Sequence, residues 1–288
     1  MSTYYRICIF GCLILMASCV QASDSWPVFR GNALSQGVSE STLPEKPELL
    51  WEFNVPKGAF ESTPVIQNNR VYIGDMDGEV YCLDLKSGKQ IWKVETDSGF
   101  LASGAIEGNI LVMGDYDGKV RGMNIEDGSV LWEFDAGGQI DSGAYFYGPL
   151  TLVTSEDGCL YALKTLSGEL AWKYQTGDQL RCSPSVLGNR TFLGGCDGKL
   201  HVVDLDTGMA IGEKMPLSGP TGSTPTALGD VAVVPTQSGE MLGFDWKKSE
   251  SMWTFKDEEL SPEIRSSAAV SDGLAIVTTC FSVKAGFV

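Results

Sequence analysis

GDYDGKVRGMNIEDGSVLWEF, residues 114–134, carries two turn signals and a tryptophan at even spacing: Asp117-Gly118, Asp127-Gly128 and Trp132. Forty residues upstream, GDMDGEVYCLDLKSGKQIWKV (74–94) repeats the arrangement with Asp77-Gly78, Ser87-Gly88 and Trp92. Forty downstream stand Asp157-Gly158, Ser167-Gly168 and Trp172, and forty further Asp197-Gly198 and Thr207-Gly208, with Gly212 in the place of the tryptophan. A fifth copy holds Ser238-Gly239, Asp245 and Trp253, one residue out of step. The chain is therefore an array with a period near 40 residues.

Each period divides into four apolar runs. In the first they are TPVIQ (63–67), RVYIGD (70–75), EVYCLDL (79–85) and QIWKVE (90–95), broken at Asn68-Asn69, Asp77-Gly78 and Ser87-Gly88. Asn, Asp and Gly tolerate positive φ, so these breaks read as tight turns. Later copies of the second run, such as NILVMGD (109–115) and LTLVTS (150–155), are apolar at nearly every position, the pattern of strands buried on both faces. No stretch after residue 22 has helical periodicity. Four short antiparallel strands per unit, in tandem and covered on both faces, predict an all-β fold, a β-propeller of four-stranded blades. A β-sandwich would not repeat its turn residues every 40 positions.

Of 288 residues, 43% are hydrophobic and 34 are Gly, enough for a large core with many turns. Residues 1–22 read as an export signal: Arg6, the apolar run ICIFGCLILMA (7–17), then small residues, with Val20-Gln21-Ala22 fitting cleavage before Ser23. The apolar run is too short for a membrane span. Met16-Ala17-Ser18-Cys19 also resembles a bacterial lipobox, which would make Cys19 a lipidation site and the protein's only membrane contact. Loss of this segment, with Arg6 and no acid, takes the net charge from −16 to −17 and excludes nucleic acid as a partner, since phosphate is repelled. Cys82, Cys159, Cys182, Cys196 and Cys280 form no C-x-x-C pair, which argues against zinc. With a three-residue turn at Gly188 to Arg190, Cys182 would face Cys196 and offer a cross-strand disulfide; a two-residue turn would shift that register.

The unit ending, Cys82 to Trp92, Gly122 to Trp132 and Ala162 to Trp172, resembles the tryptophan-docking motif of the pyrroloquinoline-quinone-like (PQQ-like) repeat family. The opening WPVFRGNALSQGV (26–38) is similar to the W-P-x-x-R-G start of many bacterial members. The resemblance covers about residues 26–279; it fades where Gly212 replaces Trp and where Ser249-Glu250 replaces Thr-Gly. It implies that Trp51, Trp92, Trp132, Trp172 and Trp253 pack across to the motif of the next blade, around Gly88, Gly128, Gly168 and Gly208. In type the chain is similar to the propeller lipoprotein of the outer-membrane β-barrel assembly machinery, which implies a non-catalytic scaffold with a protein partner in the cell envelope. Quinoprotein dehydrogenases of the same resemblance are roughly twice as long and carry an adjacent Cys-Cys pair and a calcium cluster. This sequence lacks the pair and any insertion for the cluster, so no quinone, metal or other cofactor is expected, and no catalytic residue.

His201, the single histidine, excludes a serine-hydrolase triad. It stands in a third strand where other units place Tyr81, Arg121, Tyr161 and Leu242, a set read as sharing no chemistry. Asp75-x-Asp77-Gly78 and Asp115-x-Asp117-Gly118 read as hairpin turns rather than calcium loops. Six Ser-containing starts, from ESTP (61–64) to RSSA (265–268), open the innermost strands beside the central channel and are expected to bond backbone between blades. Just before them Glu61, Asp141, Arg181 and Arg265 vary in charge, as partner or ligand positions would. Topology puts Asp75, Asp77, Asp97, Asp115, Asp117, Asp135, Asp141, Glu156, Asp157, Asp178, Asp197, Asp257, Glu258 and Glu259 on one face of the disc, a negative field able to steer a basic protein segment. A funnel rimmed by Glu61, Asp141, Arg181 and Arg265 that takes a small ligand is the other reading.

A lead-in of residues 23–48 precedes a propeller over 49–288. LLWEFNV (49–55) reads as an outer strand without an inner one, and a sixth unit supplies two strands within 266–279. The eight blades usual in the family would need roughly 90 more residues. An open arc of about five complete blades plus partial ones is therefore expected, as from a truncated or frameshifted reading frame. Alternatively 49–55 pairs beside 266–279 and closes a smaller ring.

Overall fold

The computed structural model of the protein describes residues 25–39, 41–42, 44–256, 263–279 and 283–287. The export signal read at 1–22, the lipobox at Cys19, Cys280 and the acids Asp257, Glu258 and Glu259 lie outside the described residues. Among the described residues no helix is long and apolar enough to cross a membrane.

Among the described residues six antiparallel sheets follow one another, five of four strands and one of three. Blade 1 takes Val65–Gln67, Arg70–Gly74, Glu79–Asp84 and Gln90–Glu95, and blade 2 takes Ala105–Glu107, Ile110–Gly114, Lys119–Asn124 and Val130–Asp135. Blade 3 takes Tyr145–Tyr147, Leu150–Thr154, Cys159–Lys164 and Leu170–Gln175. Blade 4 takes Ser185–Leu187, Arg190–Gly194, Lys199–Asp204 and a short outer strand, Met215–Pro216; blade 5 takes Thr226–Leu228, Val231–Pro235, Glu240–Asp245 and Glu250–Lys256. Blade 6 has Ala269–Ser271, Leu274–Thr278 and Val283–Phe287, one strand more than the sequence suggested. In blades 1–5 the second and third strands are the core, buried at nearly every position, while outer strands alternate exposed and half-buried.

Pairs such as Gln67↔Arg70 and Leu187↔Arg190 leave two residues per first hairpin, and Asn68 and Asn69 sit there at φ 53° and 58°, the left-handed region a tight primed turn requires. Continuing the blade 4 register puts Arg181, not Cys182, across from Cys196. Both cysteines are free thiols, so the disulfide is not formed.

The tryptophans dock as the resemblance implies. The indole N–H of Trp51, Trp92 and Trp132 donates to the carbonyls of Leu85, Ile125 and Thr165 at 2.9, 3.0 and 2.9 Å. Each ring, with that of Trp172, covers Gly88, Gly128, Gly168 or Gly208 so closely that an added Cβ would fall 2.5–2.9 Å from it. Trp172 Nε1 is buried without a partner. Trp253 packs against the core of blade 6, with Val270, Ala275 and Val277. At the blade 4–5 seam both halves of the device are gone together. Gly212 takes the tryptophan position, and the residue facing it is Ser249, which holds the docking glycine's left-handed conformation at φ 58°. Lys248-Ser249 is thus the true counterpart of the Ser-Gly pairs. Trp246 replaces the tie from the other side: its ring meets Phe192 of blade 4 at 5.7 Å and Arg190 at 4.9 Å.

Residues 49–55 form no strand, so they are neither an orphan outer strand nor a partner of 266–279; Trp51, Phe53 and Val55 pack on Val71, Tyr81 and Leu83 of blade 1. Residues 26–37 instead thread the channel. In chain order, Trp26 bridges to Ile66 of blade 1, the Pro27 carbonyl accepts from Ile106 N–H of blade 2, and Tyr145 O–H of blade 3 reaches the Phe29 carbonyl. The Ala33 carbonyl then accepts from Val186 N–H of blade 4, Leu34 from the Thr226 hydroxyl of blade 5 and Gln36 from Val270 N–H of blade 6.

Candidate functional site

Because 26–37 fills one end of the channel, the other end becomes a funnel with a floor. Phe29 and Arg30 form that floor, and the cavity above them, about 360 Å³, is rimmed by Glu61, Asp141, Arg181 and Arg265, the four positions singled out from the sequence. The structure brings all four to one mouth, joined by Leu101 and Gly222 at the equivalent positions of blades 2 and 5. Acids therefore stand on blades 1 and 3 and cations on blades 4 and 6. Arg181 Nε contacts Glu156 at 2.8 Å and Arg265 contacts Glu263 at 2.9 Å. Burial pushes the Glu156 carboxyl above its usual range, neighbouring Asp141 adds to this, and Arg181 opposes it.

Below the rim the inter-blade bonds expected of the Ser-containing starts form only among blades 4, 5 and 6; the Ser142 hydroxyl stays with Thr154 of its own blade and the Ser183 hydroxyl is buried without a partner. Ser183 N–H donates to Thr224 Oγ1 at 3.0 Å, Thr224 N–H to Ser267 Oγ at 2.9 Å, and Ser223 Oγ to the Ser266 carbonyl at 3.1 Å. Ser62 and Ser266 turn instead to their own blades, bonding the Gly74 and Thr278 carbonyls.

The third-strand set has a shared chemistry that the sequence reading missed: each polar member holds a carboxylate of the preceding turn. Tyr81 O–H donates to Asp75 at 3.1 Å, Arg121 pairs with Asp115 at 2.5 Å, Tyr161 O–H donates to Asp157, and His201 Nε2 lies 3.0 Å from Asp197. In blades 1 and 2 the acceptor is the first Asp of D-x-D-G; where Ser155 and Gly195 replace it, the second Asp serves. The pairing of those substitutions was the available signal. His201 Nδ1 also meets Tyr174 O–H at 2.9 Å, and burial lowers its pKa despite Asp197. His201 is thus a neutral clamp on a turn.

The acidic face exists, but with fewer acids than the count suggested. Asp75 and Asp115 are buried, each with one oxygen accepting two backbone N–H groups of its own turn. Asp77, Asp97, Asp117, Asp135 and Asp178 are exposed. They share a face because each second-to-third-strand turn bonds the connections beside it: Thr96 N–H to the Gly78 carbonyl at 2.8 Å, Tyr116 N–H to Gly99 at 2.9 Å, Glu156 N–H to Gln139 at 2.9 Å. Among the described residues no three His, Cys, Asp or Glu side chains converge as a metal would need.

Known proteins place this architecture. The crystal structure of BamB from Moraxella catarrhalis superposes with a TM-score of 0.68 at 17% identity, over 82% of this chain and 86% of that one. A computationally designed protein, Ika8, gives 0.68 at 19%, over 80% and 71%. The outer membrane protein assembly factor BamB of Nitrosomonas eutropha is 29% identical over 104 residues, 32% of this chain and 25% of that protein. Its namesake in Aliivibrio fischeri is 34% identical over 91 residues, 28% and 23%. The matched stretch thus spans about a quarter of the length of these curated relatives. The family model described as outer membrane protein assembly factor BamB matches residues 42–144 and 136–254, together blades 1 to 5. The docked tryptophans fall within those two matches, and the chain belongs to this family of PQQ-like repeat propellers.

Proposed function

We propose that this protein is an exported, non-catalytic scaffold of the cell envelope that presents the loops of its acidic, funnel-bearing face to a protein partner in outer-membrane assembly. The observation that carries the reading is the family match over blades 1 to 5. The partner segment is basic, since Asp77, Asp97, Asp117, Asp135 and Asp178 project around a mouth whose arginines at 181 and 265 already contact Glu156 and Glu263. Export rests on residues 1–22, and Cys19 supplies lipid attachment if the lipobox is used.

Tagged protein, captured from envelope extract at low and at high salt, tests this. Outer-membrane assembly proteins should be enriched at low salt, and less so with an Asp77→Lys, Asp117→Lys double variant. Equal enrichment with wild type and variant would remove the acidic face from the reading; enrichment of no envelope protein would remove the scaffold itself. A second reading, a funnel that takes a small zwitterionic ligand, is favoured by the opposed acids and arginines around the 360 Å³ cavity. A thermal-shift screen checks it: a ligand that raises Tm should lose its effect with Asp141→Ala.

A further inference from the structure

The inner strands of a propeller face the channel with one edge unpaired, and bare N–H groups there need partners. In this protein one segment supplies them for four blades and is met by side-chain hydroxyls of the other two. Backbone N–H groups of Ile66, Ile106, Val186 and Val270 donate to Trp26, Pro27, Ala33 and Gln36 at 2.6–3.1 Å, and the Tyr145 and Thr226 side chains serve the remaining two blades. The Tyr145 hydroxyl also lies 2.7 Å from Ser35 Oγ.

The segment is shaped for that path. Arg30, Gly31, Ser35 and Gly37 all take positive φ, curling it within the channel. The Trp26 ring covers Gly31 so closely that a Cβ there would lie 2.6 Å from it, and the Arg30 guanidinium covers Gly37 in the same way at 2.5 Å. Arg30 then donates to the carbonyls of Ser35 and Gln36 in its own segment and of Ser267 and Ala268 in blade 6. Trp26, Pro27, Arg30 and Gly31, the fixed letters of W-P-x-x-R-G, thus have separate tasks: bridge to blade 1, carbonyl to blade 2, latch to blade 6, and seat for the indole.

We propose that the channel floor is a peptide-binding site, occupied in cis by residues 26–37, and that this bound peptide, rather than strand exchange between first and last blades, fastens blade 6 to blade 1. The ligand class is a W-P-x-x-R-G peptide of about a dozen residues. It is held mainly through its backbone carbonyls, with one guanidinium solvated by four carbonyls. The site is separable from its ligand, because residues 44–50 that lead away from it are exposed.

The test starts from the folded full chain. A protease site is inserted between Glu45 and Lys46, the purified protein is cleaved, and the nicked complex is challenged with a labelled synthetic peptide, SWPVFRGNALSQGVS (25–39). The N-terminal fragment should remain with the body on gel filtration and exchange with the labelled peptide to one per body. An Arg30→Ala peptide should bind at least tenfold more weakly, as loss of charge-assisted bonds predicts. Body stripped of peptide should melt at lower temperature and recover when peptide is returned. The proposal is overturned if the fragment leaves at once while the body keeps its Tm, if the Arg30→Ala peptide binds equally well, or if no exchange occurs short of unfolding. In the uncut protein, Arg30→Ala should increase proteolytic clipping within 25–39; unchanged clipping would count against the latch.

Discussion

At position 201 a histidine holds the turn carboxylate that tyrosine holds at 161 and arginine at 121. The three clamps differ in what acid does to them. Burial keeps the folded pKa of His201 below its ordinary value, with Asp197 opposing and Lys199 and Lys214 adding to the shift. The native state therefore binds fewer protons than the unfolded chain. The resulting stability is present above the unfolded pKa of about 6.5 and is lost as pH falls through the folded value. Melting scans between pH 7.5 and 5 should show a steeper fall in Tm for wild type than for His201→Tyr, which keeps a donor toward Asp197 without a titrating ring. Parallel curves would contradict the assignment. At Arg121 the clamp is an ion pair with side chains only 3% and 1% exposed. Arg121→Ala strands the Asp115 charge and should cost about 3–5 kcal/mol in denaturant unfolding, whereas a surface pair such as Lys164–Glu169 should cost at most about 1 kcal/mol.

Between blades, the unit of cohesion is a tryptophan on a glycine. Trp132, buried and bonded to Thr165, should cost about 3–5 kcal/mol when changed to Ala. The blade 4–5 seam lacks this pair, and its cohesion has passed to Trp246. Trp246→Ala should therefore cost as much as Trp132→Ala, and should split the melting transition so that blades 5 and 6 unfold before the rest. Ser249→Gly relieves a non-glycine left-handed residue and should be neutral or stabilising by up to about 1 kcal/mol. Strands, hairpins and docking glycines were legible in the sequence because their causes are local: Asn68-Asn69 or Ser87-Gly88 sets its turn within four residues. The seam was misread by one position because Ser249 does a glycine's task, and only its backbone angle gives that away. The third-strand clamps went unread since Tyr, Arg and His share a donor rather than a class.

For the whole molecule, the sixth blade stands apart. Its second strand, Leu274–Thr278, alternates exposed and buried where the equivalent strands of blades 2 to 5 are covered on both faces, leaving Leu274 and Ile276 at 37% and 41% exposure. An apolar strand face of this kind favours association. Sedimentation should show concentration-dependent self-association that a Leu274→Thr, Ile276→Thr double variant reduces; identical profiles would remove that face as the cause. The channel segment left no periodic trace, because its partners lie from 40 to nearly 240 residues away and each contact occurs once. The W-P-x-x-R-G start, outside the repeat phase, was its mark in the sequence, and the positive φ of Arg30 and Ser35 became visible only in the structure.

That distance has a consequence in time. Arg30 meets Ser267 and Ala268 across 237 and 238 positions. At synthesis rates of roughly 5–20 residues per second, on the order of ten to fifty seconds pass between the making of the two ends of this contact. Blades 1 to 5 can form in sequence during that interval and take up their own bonds to the segment, but its path is completed only when blade 6 supplies Ser267, Ala268 and Val270. A chain of high contact order that is fastened last is slow to reach its final state and vulnerable while it waits. Refolding should therefore show an early phase, in which blade structure appears by far-UV signal, and a later one, in which Trp26 becomes protected. Arg30→Ala should slow or abolish only the second.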